Sequence, residues 1–179
     1  ILDTGRENGL YDPVILKKLD RLAEEIERIE MGDLFVGMAS SVADILKEIH
    51  QALNENKPEF YSIPDNPKLI PQEFLLFENS GSDDLEDVID SRFQIARFTI
   101  KVPWLDALKY APFLKDIETR FRAAFGKDAD ITITGLMTLF CRALTAAVHS
   151  MVKSYAIAAG VITIMMILLI GSFRIGLIS

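Results

Sequence analysis

The sequence predicts an α+β domain followed by one long helix, the second half of which crosses a membrane. Two patterns lead to this prediction. Short apolar segments with helical and with strand-like periodicity alternate through residues 1–135. Residues 154–173 then carry no charge and are mostly apolar. Because twenty residues of α-helix span about 30 Å, the thickness of the hydrocarbon core of a bilayer, this run is long enough to cross it.

Charge is distributed unevenly along the chain. All 26 Asp and Glu residues lie in residues 1–130 with 16 of the 19 Lys and Arg residues, which gives this part a net charge of −10. Residues 131–179 contain three basic residues and no acidic one: Arg142, Lys153 and Arg174. An acidic domain repels phosphate backbones, so we expect no binding to nucleic acid. A single cysteine, Cys141, excludes a disulfide within the chain.

The first predicted elements are a strand, a helix and a second strand. Residues 1–4 read as the end of a strand. Asp12 is a good N-cap and Pro13 suits the first helical position. Apolar residues follow at helical spacing: Ile15, Leu19, Leu22, Ile26 and Ile29. We expect Gly32 to stop this helix and residues 34–38 to form a short buried strand.

A largely helical insertion is predicted at about residues 40–91. Ser41 and Asp44 resemble a capping box, with Asp in place of Glu, and open a second helix. Its apolar face consists of Val42, Ile45, Leu46, Ile49 and Leu53. Residues 54–67 contain three prolines and read as a loop.

The insertion ends with a short helix over residues 71–77 and an acidic loop or turn over residues 80–90. A strand follows, because residues 97–102 alternate between polar and apolar. Phe93 and Ile95 alternate too, but one residue out of phase. We therefore expect a β-bulge near Ala96.

The domain closes with a helix and a strand. We expect a short helical lead-in at residues 105–110, and Pro112 restarts or kinks the helix. The expected buried stripe of this helix is Leu114, Ile117, Phe121 and Phe125. Gly126 stops it, and residues 131–134 form the last short strand.

From Leu136 the pattern is helical through Phe173, a length of 38 residues, or about 57 Å if the helix is continuous. We expect an amphipathic connecting helix at residues 136–154 and a transmembrane helix at residues 155–173. Without the insertion, the preceding order of elements is βαββαβ, the ferredoxin-like arrangement. The predicted fold is therefore a ferredoxin-like domain of residues 1–135 with a helical insertion, followed by the long helix.

No group of residues has the pattern of a catalytic, cofactor or metal site. His50 and His149 have no second His or Cys at ligand spacing. A surface position is the expected role of His50, and an interfacial or interhelical hydrogen bond that of His149, with pH sensing as the alternative. We expect Cys141 to act as a small hydrophobe. The acidic residues of 83–90 lack the alternating ligands and central Gly of an EF-hand. We therefore expect neither an enzyme nor a bound cofactor.

Five apolar residues are candidates for lining the route of a lipid-like molecule: Phe74, Leu75, Phe77, Phe93 and Trp104. The interest lies in the sequence FLLF at residues 74–77, which is strongly apolar within a polar insertion. The alternative is that these side chains cover the sheet edge or bury the insertion against its own domain.

Four stretches of the sequence resemble one family of membrane proteins. They are LDTG at 2–5 with LYDP at 10–13, SSVADILKEI at 40–49, SGSDDL at 80–85, and TG at 134–135 with the long helix and its exit GSFRIGLIS at 171–179. In this order and spacing they resemble resistance-nodulation-division (RND) transporters, in the branch of MMPL-type and hydrophobe or lipid exporters. The resemblance extends over nearly the whole chain.

The resemblance implies an extracytoplasmic porter-type domain that returns to the plasma (inner) membrane in a multi-pass protein. Residues 1–150 would be extracytoplasmic and Arg174 cytoplasmic; the charges alone give no orientation. RND transporters use the proton gradient to export apolar molecules, and their proton-relay carboxylates lie in transmembrane helices. The predicted span contains no carboxylate, so this part would supply substrate pathway and coupling helix.

The chain begins at Ile1 and ends shortly after the predicted span, so we expect a piece of a longer protein. The leading hypothesis is part of a proton-gradient-driven RND-type exporter. Its partners would be a hydrophobic or lipid-like substrate, the bilayer and the remaining transmembrane helices, with a second copy or an adaptor left open. The alternative is a single-pass membrane-tethered extracytoplasmic binding or scaffold module. A third hypothesis, a membrane-anchored hydrolase, lacks a catalytic residue set.

Overall fold

The computed structural model describes residues 1–81 and 85–170. It is a mixed α and β structure with one long apolar helix at its C-terminal end. The chain divides into two compact units, the first formed by Ile1–Gly135 and the second beginning at Leu136.

Five α-helices lie in the described residues: α1 (Pro13–Glu27), α2 (Val42–Leu53), α3 (Leu69–Asn79), α4 (Ala107–Phe125) and α5 (Leu136–Ile170). Short 3-10 helices are present at Gly9–Tyr11 and Pro58–Phe60. The strands are β1 (Leu2–Asp3), β2 (Glu30–Met31), β3 (Leu34–Phe35), β4 (Met38–Ser40), β5 (Ile95–Ala96), β6 (Thr99–Lys101) and β7 (Asp130–Ile131).

The strands pair in three groups, and every pairing is antiparallel. Strand β1 lies between β5 and β7, with Leu2 opposite both Ala96 and Ile131. Strand β4 pairs with β6, with Ala39 opposite Ile100. Strands β2 and β3 form a hairpin. Each strand is only two or three residues long, so the sheet contributes few ladder hydrogen bonds and packing by the helices must hold the first unit together.

The hairpin differs from the sequence prediction. We expected the first helix to continue to Gly32, but α1 ends at Glu27, and β2 follows. Gly32 lies in the hairpin turn with φ 64°. A glycine adopts this left-handed conformation at no steric cost, so it serves the turn instead of the end of a helix.

An interruption of the strand takes the place of the β-bulge expected near Ala96. Strand β5 ends at Ala96 and β6 begins at Thr99, with Arg97 and Phe98 between them. The N–H of Arg97 donates to the carbonyl of Val88, at 2.7 Å, as part of an antiparallel bridge between Ile89 and Ala96. The pairing of β5 with β1 extends no further than Ala96. The chain therefore leaves β1 at this point and pairs with β4 two residues later.

Both predicted helix starts are confirmed. The carboxylate of Asp12 accepts the N–H of Val14 at 2.9 Å, and Pro13 is the first residue of α1. At the start of α2, the hydroxyl of Ser41 accepts a backbone N–H while the Asp44 carboxylate accepts the N–H of Ser41 at 2.9 Å. This is the reciprocal capping box, and Asp replaces Glu in it without loss of either bond.

Helix α4 differs from its prediction in two ways. It is one helix that contains Pro112, without a separate lead-in. Its buried stripe begins earlier, at Tyr110 and Phe113, while Leu114 is only half-buried. Because aromatic side chains are buried on both sides of Pro112, their packing compensates for the one hydrogen bond that a proline removes.

A core of apolar side chains fills the first unit, where α1 packs against α2, α4 and β4. Fully buried members include Leu2, Leu10, Leu16, Leu19, Ile26, Leu46, Ile70 and Phe125. The second unit is different, since α5 is helical without interruption from Leu136 to Ile170. Residues 171–173 of the predicted span lie outside the described residues.

Candidate functional site

Beyond its first turns, where Thr138 and Cys141 are buried, helix α5 exposes apolar residues on every side. Among the described residues, Leu136–Leu168 is the one helical segment long and apolar enough to cross a membrane, and its most apolar window has no buried residue. Tyr155 is 70% exposed and Leu168 is 77% exposed. Other exposed members are Leu139, Phe140, Val148, Met151, Ile157, Ile162, Ile164 and Met165.

An exposed surface of this kind is unfavourable in water. Burying one Leu, Ile, Phe or Met side chain contributes about 1.5–3 kcal/mol, and α5 leaves more than ten large apolar side chains exposed. Charged residues are absent from positions 154–168. At 1.5 Å per residue, the 33 residues of Leu136–Leu168 measure about 50 Å, which exceeds the thickness of the hydrocarbon core.

Two of the five predicted route-lining residues are packed inside the first unit. Phe74 of α3 and Phe93 are buried, and their rings lie 5.6 Å apart. Tyr11 completes this aromatic cluster, with its ring 4.7 Å from Phe93. The cluster packs the insertion helix α3 against the first turns of the chain, which matches the alternative that these residues bury the insertion against its own domain.

The other three candidates have different surroundings. Leu75 is 58% exposed, and Phe77 is half-buried. Trp104 is 77% exposed, and its loop is fixed by the hydroxyl of Tyr110, which donates to the carbonyl of Pro103 and accepts the N–H of Leu105. A role of the five residues in lining a substrate route stays a prediction.

His50 is not a surface histidine, contrary to the sequence prediction. Its side chain is only 12% exposed, and its Nδ1 lies 2.6 Å from Oε1 of Glu73, which is itself 7% exposed. The ring of Phe60 meets the imidazole edge-on, with the centroids 5.6 Å apart. The pair therefore joins α2 to α3 inside the insertion.

The second carboxylate oxygen of Glu73 is buried and has no hydrogen-bond partner within the described residues. No set of three or more His, Cys, Asp and Glu side chains in the described part of the chain is arranged to hold a metal ion. The hydrogen bond between His50 and Glu73 connects α2 to α3. The sequence did not reveal it because the two residues lie 23 positions apart on different helices.

A half-buried group of ion pairs, also missed from the sequence, joins α1 to α2. The ammonium group of Lys47 contacts the carboxylate of Asp20 and lies 3.1 Å from that of Asp44. It also sits 4.9 Å from the centre of the Tyr61 ring. Burial opposes the charged form of Lys47, but the hydrogen bonds to Asp20 and Asp44 outweigh it and raise the pKa of Lys47. The charge of Lys47 is paired with two carboxylates, so these residues stabilise the packing of α1 against α2.

A groove of about 370 Å³ lies between α1 and α4. Its lining consists of Lys18, Arg21, Leu22, Glu25, Arg120, Ala123 and Ala124. Two of its cations are neutralised by neighbours, because Lys18 lies 2.6 Å from Asp128 and Arg120 lies 2.7 Å from Asp116. The remaining charges of Arg21 and Glu25 have opposite sign, so the groove offers no net attraction to an anion.

Part of the acidic loop has a structural role. Asp83 and Asp84 lie outside the described residues. Asp90 accepts the N–H groups of Gln94 and Ile95 on one oxygen, both at 2.8 Å. Burial opposes its ionisation, but these backbone hydrogen bonds outweigh burial and lower the pKa of Asp90. This carboxylate therefore shapes the turn that leads into β5.

Asp3 reinforces the same turn from β1. Its carboxylate accepts the side-chain N–H of Gln94 at 2.9 Å and the backbone N–H of Gly5 at 2.8 Å. These two bonds lower the pKa of Asp3. Gln94 is thus held through its backbone by one carboxylate and through its side chain by another.

Comparison with known proteins gives no relative. No protein-family model, curated protein or solved structure matches this chain.

Proposed function

We propose that α5 crosses a membrane and that the chain is part of a proton-gradient-driven RND-type exporter of hydrophobic or lipid-like molecules. The observation that carries the membrane part is the all-round exposure of apolar side chains on α5. Lipid is the surrounding in which such a surface is stable. The exporter part is supported by the four sequence stretches that resemble RND transporters.

The strand pairings support a ferredoxin-like arrangement of the first unit. If β5 and β6 are the two halves of one interrupted strand, the order across the sheet becomes β7–β1–β5/β6–β4. Two helices then connect four strands in the sequence βαββαβ, with α1 after β1 and α4 after β6. The insertion, with α2 and α3, lies between β4 and β5.

In this proposal the first unit is an extracytoplasmic porter-type domain of a multi-pass protein in the plasma (inner) membrane. Helix α5 follows it at Gly135 and is continuous, so it is a stiff element that can transmit rearrangements of a transmembrane bundle. The proton-relay carboxylates would belong to other helices, because residues 131–179 contain no Asp or Glu.

Membrane insertion of the chain tests the first part. We expect the expressed chain to remain in the membrane pellet after extraction at alkaline pH and to require detergent for purification. A chain that is extracted into the supernatant and stays monodisperse without detergent would contradict the proposal.

The coupling role is tested in the complete transporter. Insertion of two glycines after Ser150 interrupts α5, and we expect export to be lost at unchanged expression. Insertion of two alanines at the same place is the matched control for helix continuity, since it shifts the register but keeps the helix. Unchanged export by the glycine variant would contradict the coupling role.

A single-pass membrane-tethered binding or scaffold module is the second candidate. It is favoured by the presence of one membrane-length helix in the described residues. The flanking coding sequence separates the two candidates: several further apolar spans support the exporter, and a stop codon shortly after Ser179 supports the tethered module.

A further inference from the structure

Helix α5 carries its basic and imidazole groups on one face. Arg142, His149 and Lys153 are spaced by seven and four residues. At 100° per residue these positions lie within about 40° of one another around the helix. All three are exposed, and we call them the basic stripe.

The opposite face of the same segment is apolar. Phe140, Met151 and Tyr155 lie about 160–220° away from Arg142 around the helix, and each is more than half exposed. The start of α5 is therefore amphipathic, with its cationic side turned away from its most apolar side.

The basic stripe has no counter-charge on its own helix. No Asp or Glu occurs after Asp130, and among the described residues none of the three stripe members makes an ion pair or a side-chain hydrogen bond. This separates the stripe from the basic residues of the α1–α4 groove, two of which are paired with carboxylates. The stripe is therefore ready to interact with an external anion.

The position of the stripe along the helix indicates which anion. Lys153 immediately precedes the uncharged run that begins at Ser154. His149 lies one turn earlier, about 6 Å along the axis. The headgroup layer of a bilayer is about 5–7 Å deep on each side, so both side chains reach it when the uncharged run fills the hydrocarbon core. Arg142 lies about 16 Å from Lys153, beyond this layer.

We propose that His149 and Lys153 of the basic stripe bind the headgroups of anionic phospholipids at the membrane surface where α5 enters the bilayer. The ammonium group of Lys153 pairs with the lipid phosphate, and the imidazole N–H of His149 donates to a phosphate oxygen. Arg142 extends the positive field outward from the surface. This inference depends on the proposed membrane span, but not on the exporter function.

The test compares lipid retention by the whole chain. The purified protein in mild detergent is mixed with equal amounts of phosphatidylglycerol and phosphatidylcholine of the same acyl chains, and bound lipids are counted by native mass spectrometry. Because one basic residue near an anionic surface is worth about a factor of five, we expect about fivefold more retained phosphatidylglycerol. The triple variant Arg142→Gln, His149→Gln, Lys153→Gln should retain the two lipids equally.

The control removes the same formal charge elsewhere. Lys115→Gln with Lys127→Gln changes two exposed lysines of the first unit and should keep the wild-type preference. Equal retention of the two lipids by the wild type, or an equal loss of preference in the control, overturns the inference. Displacement of the bound lipid by millimolar glycerol phosphate would identify a free-phosphate site and also overturn it.

Failure of the membrane span gives a different result. A chain that does not co-float with vesicles of either lipid contradicts the span and this inference together. A chain that co-floats with both kinds of vesicle but retains the two lipids equally leaves the span intact and overturns only the lipid preference.

Discussion

Helices α1 and α5 place their apolar residues in opposite environments. In α1 the apolar residues form one stripe, and six of its residues are buried by the rest of the first unit: Ile15, Leu16, Leu19, Leu22, Ala23 and Ile26. In α5 the apolar residues surround the helix and are mostly exposed. The first pattern is that of a helix that packs on protein, and the second that of a helix surrounded by lipid.

The contrast shows why apolarity alone does not define a core. An apolar side chain contributes to folding in water when other residues of the protein cover it, as they cover Leu16 and Leu19. In the proposed membrane span of α5, the same residue types would gain their stabilisation from the bilayer.

Negative charge in the centre of α5 should prevent this helix from inserting into a membrane. Ile162 and Met165 are both exposed, and an Asp near the middle of a span costs about 2.5–3.5 kcal/mol. We expect Ile162→Asp with Met165→Asp to abolish insertion, measured as loss from the alkaline-extracted membrane pellet. Ile162→Leu with Met165→Leu should insert as the wild type does, and an unchanged pellet fraction for the Asp variant would contradict a lipid environment.

An aspartate at an exposed position of α1, outside the proposed span, gives the matching test. Val14 is 58% exposed and lies in the first turn, where a negative charge is favoured by the helix dipole. We expect Val14→Asp to change the unfolding free energy by no more than about 0.5 kcal/mol, as measured by urea denaturation in detergent. A large destabilisation would mean that this side chain is covered by protein.

The neighbours Phe74 and Leu75 on α3 should differ strongly. Phe74 is fully buried and Leu75 is 58% exposed. We expect Phe74→Ala to destabilise the first unit by about 3–5 kcal/mol and Leu75→Ala by no more than about 0.5 kcal/mol. Near-UV circular dichroism reports on this unit during urea unfolding, because Trp104 and all the tyrosines except Tyr155 belong to it. If Phe74→Ala kept full stability but reduced export, the residue would line a substrate route instead of the core.

Removal of one partner of the His50–Glu73 pair should lower the free energy of unfolding by less than Phe74→Ala does. His50→Leu leaves a buried carboxylate without its hydrogen bond, and we expect a loss of about 1–3 kcal/mol. The double variant His50→Leu, Glu73→Leu should recover part of that loss, because two apolar side chains need no partner. Additive losses in this double-mutant cycle, measured by urea unfolding, would show that the two side chains do not interact.

The smallest effect concerns acid stability. The pKa values of Asp3 and Asp90 are lowered in the folded chain, so folding favours their charged forms. Their contribution is present above the unfolded pKa of about 3.9 and is lost as pH falls through the lower folded values. We expect the urea concentration at the unfolding midpoint to decrease when the pH is lowered below about 4. The decrease should be smaller in the variant Asp3→Asn, Asp90→Asn. An identical pH profile for that variant would exclude these two carboxylates as the cause.

Local signals in the sequence were sufficient for several elements. The caps at Asp12 and Ser41 each depend on residues within a few positions of one another. The strand β2 was missed because it is a two-residue element whose only support is its pairing with β3. The restart at Pro112 was expected because proline disfavours helix interiors, and the buried Tyr110 and Phe113 outweigh that preference.

The candidate sites also divide into those that the sequence of one helix predicts and those that depend on contacts between elements. The uncharged run and the basic stripe follow directly from the order of residues on one helix. The environments of Phe74, Phe93 and His50 do not, because each is set by a residue of another element. Thus the FLLF segment reads as uniformly apolar, although its first residue is buried and the next two are exposed.

The sequence by itself determined the long apolar helix, its lack of carboxylates, the helix caps and the separation of an acidic domain from a basic tail. These properties depend on composition and on periodicity along one segment. Only the tertiary structure decided the pairing of β1 with β5 and β7, the burial of His50 against Glu73 and the contact of Lys47 with Asp20. Such contacts join residues far apart in the chain, and many partners satisfy the same local pattern until the helices and strands have packed.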